Sequence, residues 1–439
     1  MNISIIVFIV LIVVAAGLFA KNVKTIIRNI KLGKDLDRND RKGERLNLMA
    51  RVAMGQSKMQ GRPVVGILHF IVYAGFIIIN IEVLEIVLDG VLGTHRLFSP
   101  LGSLYTVLIS TFEILALLVL VSCVIFLIRR NILRIKRFFS PEMEGWPKTD
   151  ANLILIAEVL LMSAFLIMNA VDAQLQVLGS EHYTKVDSFP ISGLLEGVFV
   201  SASESSLIML ERGLWWFHII GIFAFLNYLP YSKHFHILLA FPNVFYSKLE
   251  PKGQLPNMAA VKKEVELMFD PNADPYAATP EPVGEPERFG AKDVTDLNWK
   301  QLMDAYTCTE CGRCTDVCPA NQTGKALSPR KILMDTRDRL EEVGKGIDKD
   351  GKDYDDGKSL LRDYIKEEEL LACTSCNACT EACPVNNDPL SVIVDLRQYL
   401  IMEESKAPAE WTGIFTNIEN NGAPWQFAQA DRLKWKDEE

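Results

Sequence analysis

Eight of the nine cysteines fall into two runs with one spacing. The first is Cys308, Cys311, Cys314 and Cys318, followed by Pro319. The second is Cys373, Cys376, Cys379 and Cys383, followed by Pro384. Each reads C-x2-C-x2-C-x3-C-P, the ligand run of a [4Fe–4S] cluster. Three thiolates, each three positions after the last, can wrap a tight loop around one cubane. The fourth cysteine, ahead of its proline, leaves on a new segment and reaches the other cluster. The spacing therefore predicts two clusters with crossed ligands. One takes Cys308, Cys311, Cys314 and Cys383; the other takes Cys373, Cys376, Cys379 and Cys318. A disulfide framework belongs to short secreted chains, which this is not. Zinc sites favour two CxxC pairs over two runs of four that end in CP. The ninth cysteine, Cys123, lies in an apolar stretch and reads as packing.

The elements that must position these ligands divide the chain. Its 439 residues allow two or three domains, and 49% of them are apolar. The apolar residues concentrate before position 245, in five stretches long enough to cross a bilayer: 3–20, 63–88, 104–128, 152–170 and 206–229. No basic region precedes the first and no small-residue cleavage site precedes Lys21, so it reads as a retained anchor and not a signal peptide. Twelve Lys/Arg lie from Lys21 to Arg62, and Arg129, Arg130, Arg134, Lys136, Arg137 and Lys148 follow span three. The opposite loops hold only Arg96 and Lys185. The positive-inside rule then predicts an N-terminus outside and a multi-pass protein of the inner (cytoplasmic) membrane. Five spans return the chain to the cytoplasm, where cluster cysteines stay reduced. The basic residues flank spans, which argues against nucleic-acid binding.

Two histidines stand at similar depth on different spans. His69 is near the cytoplasmic start of span two, and His236 is just past the cytoplasmic end of span five. A neutral imidazole from each side is how a helical bundle grips a b-type haem. His218 is eighteen residues before His236, about 27 Å along an ideal helix, and faces the same way. Span two offers it no second histidine; three turns beyond His69 stands Asn80, a poor haem ligand. His95, beyond span two, is the one candidate partner, and only if that span extends or bends. One haem is therefore expected, with an outer one left open. His95, His182 and His234 otherwise read as ordinary polar residues. Glu82, Glu85, Glu113 and Glu158 also lie inside spans. Glu82 and Glu85 serve either a proton path or quinone contact, or interhelical hydrogen bonding.

The expected fold class is all-α: a five-span transmembrane bundle (1–245), a Pro-rich cytoplasmic connector (246–299), a helical domain with both clusters (300–405) and an aromatic-containing tail (406–439). The 54 residues between the runs carry helix-like stretches at 328–343 and 358–371 around a polar loop, 344–357. Ser328 is the expected N-cap before Pro329. Further helices are expected at 261–269 and 390–404. The tail spaces Trp411, Phe415, Trp425, Phe427 and Trp435 through polar sequence, for a partner or for packing onto the cluster domain.

On these histidines the membrane half resembles the haem-b gamma subunit of respiratory nitrate reductase and the membrane subunit of methanogen heterodisulfide reductase. The resemblance implies His69 as the first ligand of span two, His236 as the last of span five, and His218 as the other span-five ligand. The family's second span-two histidine would fall near Ile79 and is missing. On the cysteine runs the remainder resembles the helical ferredoxin part of heterodisulfide reductases. It is similar also to membrane iron–sulfur oxidoreductases that pass electrons between electron-transfer flavoprotein and menaquinone. The segment from Asn420 to Trp425 and from Asp431 to Trp435 is similar to the one preceding cysteine-rich CCG modules there. A separate cytoplasmic CCG-module subunit and a flavoprotein donor are then the implied partners.

The sequence thus reads as a membrane-bound electron-transfer subunit of a respiratory oxidoreductase. It links a cytoplasmic partner, two [4Fe–4S] clusters, haem b and menaquinone or another quinone, within membrane lipid. One alternative is a membrane anchor, assembly or redox-sensing iron–sulfur protein without haem. Another is part of a heterodisulfide-reductase-like enzyme, which needs a dithiol or cluster beyond the eight ligands.

Overall fold

Among the described residues, five helices are long and apolar enough to cross a membrane. They are α1 (Ile3–Ile30), α2 (Pro63–Leu92), α3 (Ser103–Asn131), α4 (Trp146–Leu178) and α5 (Glu204–Tyr228). The computed structural model describes residues 3–186, 188–271, 288–426 and 428–437. Each helix outruns its apolar stretch, because a helix satisfies its own backbone and need not stop where the apolar run does. Pro63 opens α2, where its missing N–H costs nothing. Gly93 (φ 72) and Gly179 (φ 75) close α2 and α4 in the left-handed conformation that glycine reaches freely.

The bundle packs through α3. Ile109, Phe112, Ala116 and Val119 are buried against Ile79 of α2 and against Leu161, Phe165 and Leu166 of α4. Small residues allow the close approach: a Cβ on Gly75 would stand 2.5 Å from Val119. Cys123 is buried on the same helix, as packing requires.

After α5 the chain makes two short turns and enters α6 (His236–Phe245). The cysteine-bearing region is built on α7 (Trp299–Thr307), α8 (Pro329–Asp350) and α9 (Pro389–Gln398). Ser328 caps α8 by accepting from the Lys331 N–H. α8 runs on through the first half of the expected polar loop, to Asp350. The stretch expected as a helix at 358–371 is a kinked turn, Leu360–Tyr364, with Arg362 at φ 79, followed by Glu367–Leu371. Adjacent Leu360 and Leu361 are both fully buried, as is Ile365, and Leu361 (ψ 125) and Arg362 leave the helical backbone region between them. Among the described residues there is no strand, only isolated bridges such as Lys34 with Asn298.

One core joins the two halves. Ile26 and Ile30 of α1 pack with Leu229, Phe235, Leu297, Leu302, Ile332 and Ile393. α1 therefore leaves the bundle and docks on the cysteine region. Arg28 grips Asp348 at 2.7 and 2.9 Å, and Asn29 donates to the Tyr306 hydroxyl at 2.9 Å. Of the connector, Ala291, Val294 and Leu297 sit in that shared core. Ala259–Phe269 is helical, and 272–287, with most of the connector's prolines, lies outside the described residues. The tail carries α10 (Ala409–Asn421), which has no buried residue; Phe427 lies outside the described residues.

Candidate functional site

The two cysteine runs share one backbone course. Cys308 ends α7, and Glu310 (φ 52) and Gly312 (φ 72) then turn the chain through left-handed conformations. In the second run Ser375 (φ 56) and Asn377 (φ 60) do the same at the matching positions. The third cysteine of each run lies in a short helical turn, Arg313–Asp316 or Ala378–Ala382. The fourth, Cys318 or Cys383, is extended, as the following proline demands.

This geometry distributes the eight sulfurs between two cavities. Cys308, Cys311, Cys314 and Cys383 line the first. Cys318, Cys373, Cys376 and Cys379 line the second. Each cavity thus draws three cysteines from one run and one from the other, the crossed arrangement expected from the spacing. The sulfurs ring a volume and do not meet at a point; among the described residues no three His, Cys, Asp or Glu converge at single-ion distance. Burial pushes the thiols of Cys308, Cys379 and Cys383 up to about 12. Four thiolates in so dry a place need a cationic centre among them, and an iron–sulfur cluster suits this all-sulfur donor set.

The first cavity faces the membrane bundle. Glu310 is buried between Lys233, which follows α5, and Arg337 of α8, whose Nη1 is 2.8 Å from Oε1. Burial alone would raise the Glu310 carboxyl, but the two cations hold it below its ordinary range. Arg313 donates to the Lys58 carbonyl at 3.0 Å, and Lys58 Nζ donates to the Cys383 carbonyl at 3.2 Å. Arg62 pairs with Asp316. Arg330, fully buried, donates to the Arg137 carbonyl and to Glu142, each at 2.7 Å.

The rings of His69 and His236 lie 6.5 Å apart, centroid to centroid. Two imidazoles that ligate one metal from opposite sides, each at about 2.0–2.1 Å, place their centroids roughly 6 Å apart. His69 Nδ1 hydrogen-bonds Gln56 Oε1 at 3.0 Å, and His236 Nδ1 donates to the Lys233 carbonyl at 2.9 Å. That tautomer leaves Nε2 as the ligating nitrogen in each ring. Burial lowers the His236 pKa, so the ring is neutral and able to ligate. These residues fit one bis-histidine haem. Lys233 therefore orients His236 with its carbonyl and holds Glu310 of the first cysteine run with its ammonium. Sequence reading missed both residues. The visible signal was a carboxylate between two ligands in one run and a lysine three positions before His236. α6 is anchored at its other end as well: Asn243 bonds the Val385 carbonyl at 2.9 Å and Asn387 at 2.7 Å, beyond Cys383.

His218 is buried and its Nδ1 bonds the Leu161 carbonyl at 3.1 Å; its ring neighbour is Phe165. His95 does not come to it. The His95 ring lies 5.7 Å from His182 and 5.1 Å from Tyr183, because α2 ends at Leu92 and the chain turns away. The residues present do not fit an outer bis-histidine haem. The two span-two carboxylates also separate. Glu85 accepts from the Phe98 N–H at 2.7 Å and from the Tyr105 hydroxyl at 2.9 Å, so it is a helix-to-loop tie. Among the described residues, Glu82 Oε2 has no hydrogen-bond partner.

Residues 307–387 match the 4Fe-4S dicluster domain family. The chain is 29% identical to a "Probable iron-sulfur-binding oxidoreductase FadF" of Bacillus subtilis, over 98% of this chain and 60% of that one. It is 26% identical to an "EtfAB:quinone oxidoreductase" of Syntrophomonas wolfei, over 92% of this chain and 55% of that one. A "Probable membrane-anchored ferredoxin" of Chromohalobacter salexigens is 30% identical over 34% of this chain and 24% of its own length. The chain thus spans little more than half the length of the curated relatives that cover most of it. No solved structure matches. A multi-pass iron–sulfur membrane protein with an electron-transfer role is what these findings share.

Proposed function

We propose that this chain is the membrane-bound electron-transfer subunit of a respiratory oxidoreductase that exchanges electrons with the quinone pool. The observation that carries the reading is the crossed four-and-four division of the sulfurs, with the first cavity set against the loop that bears His236. Cys308, Cys311, Cys314 and Cys383 would hold one [4Fe–4S] cluster, Cys373, Cys376, Cys379 and Cys318 the second, and His69 with His236 a b-type haem. When bound, these groups supply one-electron redox chemistry. The chain supplies the rest. Lys233, Arg337 and Arg313 set fixed charge around the first cavity, and Gln56 and the Lys233 carbonyl orient the two imidazoles. Cys376 is exposed, which opens the second cavity to a soluble partner on the cytoplasmic side. A quinone and an electron-transfer flavoprotein follow from the name of the Syntrophomonas relative, and the loop charges supply the orientation. A CCG-module subunit is the further partner proposed, with the aromatic face of α10 free to meet it.

The test is a reduced-minus-oxidised optical spectrum of the purified protein, with iron, acid-labile sulfide and haem counted on the same sample. About eight non-haem irons and one haem per chain are expected. Intact clusters without haem would sink the relay and leave the anchoring or sensing reading. A heterodisulfide-type catalyst needs a thiol outside the cavities, and Cys123, buried in α3, cannot reach a soluble substrate.

A further inference from the structure

At the end of the bundle away from the cysteine cavities lies a buried polar network that the redox reading does not use. Its one buried guanidinium, Arg96, follows α2. Nε donates to Asp172 at 2.8 Å and Nη1 to the Tyr105 hydroxyl at 3.2 Å; Nη2 serves Asn169 at 3.1 Å and Asp172 at 2.5 Å. Asn169 in turn donates to Glu113 at 3.2 Å, and Glu113 also accepts the Ile191 and Ser192 N–H groups at 2.9 and 3.2 Å. Glu85 has its two donors already. Glu82 differs from all of these. It is 4% exposed, within electrostatic reach of Arg96 and Tyr105, and its Oε2 has no partner among the described residues.

An unpartnered carboxylate in a lipid-embedded bundle is costly, and Arg96 is committed to others. Among the described residues, the charged and titratable groups around Glu82 are Arg96, Tyr105, Glu85, Asp89 and Asp172. Three of the five are carboxylates, and the one cation, Arg96, is already bound to Asp172, Asn169 and Tyr105. His95 stands between this network and the surface. His95 Nε2 is 3.7 Å from Asp172 Oδ2, and its side chain is partly exposed. The Thr184 N–H donates to His95 Nδ1 at 3.2 Å, so a neutral His95 ring carries its proton on Nε2, the nitrogen that faces Asp172.

We propose that Glu82 is an exchangeable proton site, loaded and emptied at the far end of the bundle on the side of His95 and Asp172, with Arg96 as the fixed charge beside it. The ligand is a proton from bulk water. Only O–H and N–H bonds are made and broken, and no electron moves. The site therefore stands whether or not the quinone-linked reading does.

Infrared spectroscopy of the full chain in lipid nanodiscs tests it. The wild-type spectrum minus that of Glu82→Gln is expected to show a protonated carboxyl C=O band at neutral pH, and that band moves to lower frequency in D2O. His95→Phe is expected to slow the D2O shift by at least about tenfold. The absence of a carboxyl band in the difference, or a band indifferent to D2O, overturns the site. An unchanged exchange rate in His95→Phe overturns the route. Should Glu82→Gln fail to assemble, as judged by its iron content, Glu82→Asp replaces it. The band must then persist at a changed frequency, and an unmoved band again overturns the site.

Discussion

In the first cysteine run Glu310, Arg313 and Asp316 stand between the ligands; at the matching places of the second run stand Ser375, Ala378 and Glu381. The backbone turns are the same in both, so the cysteine spacing and the left-handed turns set the shape of each cavity. The intervening side chains set what each cavity touches. All three of the first run reach into the membrane half: Glu310 to Lys233, Arg313 to the Lys58 carbonyl, Asp316 to Arg62. Gly312 belongs to the same pattern. A Cβ there would stand 3.3 Å from the Arg137 carbonyl, whereas Asn377 keeps a side chain at the matching turn. In the second run only Glu381 carries charge, and it meets Lys252 on an exposed surface. None of the first cavity's cysteines is exposed, while Cys376 of the second is. One motif has been written twice, once to face a neighbour within the chain and once to face outward.

The largest expected effect tests whether the cavities are crossed. Cys383→Ser lies in the second run but lines the first cavity. Iron should fall from about eight to about four per chain. Electron paramagnetic resonance should retain the centre bound by Cys373, Cys376, Cys379 and Cys318. Loss of that centre instead would show that each run serves itself.

His236→Ala asks whether the inward face of the first cavity meets a redox site. It should abolish the b-type absorbance with iron unchanged, and His69→Ala should do the same. His218→Ala should leave the absorbance in place, because its ring neighbour is Phe165 and, among the described residues, no histidine faces it.

Lys233→Met sharpens the comparison to one charge. Removing a buried cation should make the first-cavity centre harder to reduce and leave the second at its wild-type potential, as potentiometric titration would show. It also breaks a buried pair whose side chains are 8% and 2% exposed. Losing one member of such a pair costs about 3–5 kcal/mol in general; Arg337 keeps part of the compensation here. Equal shifts in both centres would mean that the cavities share one electrostatic environment.

Arg62→Gln is the mildest change. Its pair with Asp316 has side chains 33% and 46% exposed, so the loss in thermal unfolding should stay within about 1 kcal/mol. A larger loss would make this contact, and not the buried Lys233, the principal tie.

How much of this could be read beforehand depends on the range of the contact. The cysteine cavities follow from ligand spacing, which is local. The five spans follow from apolar length, and the meeting of His69 with His236 from matched depth on two spans. The continuation of α1 to Ile30 was hidden because its polar turns satisfy Arg28 and Asn29 on partners hundreds of residues away. The kink at Arg362 was hidden because a helix-forming composition yields to the burial of Leu360, Leu361 and Ile365 together. Glu82 and Glu85 look alike in sequence. Only the loop that brings the Phe98 N–H and Tyr105 to Glu85 separates them.

The docking of α1 has a consequence in time. Arg28 and Asp348 are 320 residues apart. At about 5–20 residues per second, the cytoplasmic end of the first helix waits roughly 15–65 s on the ribosome for its partner. During that interval Ile26 and Ile30 lack the residues that bury them, and Leu302, Ile332 and Ile393 have yet to be made. The cysteine region thus completes the core that the first helix begins.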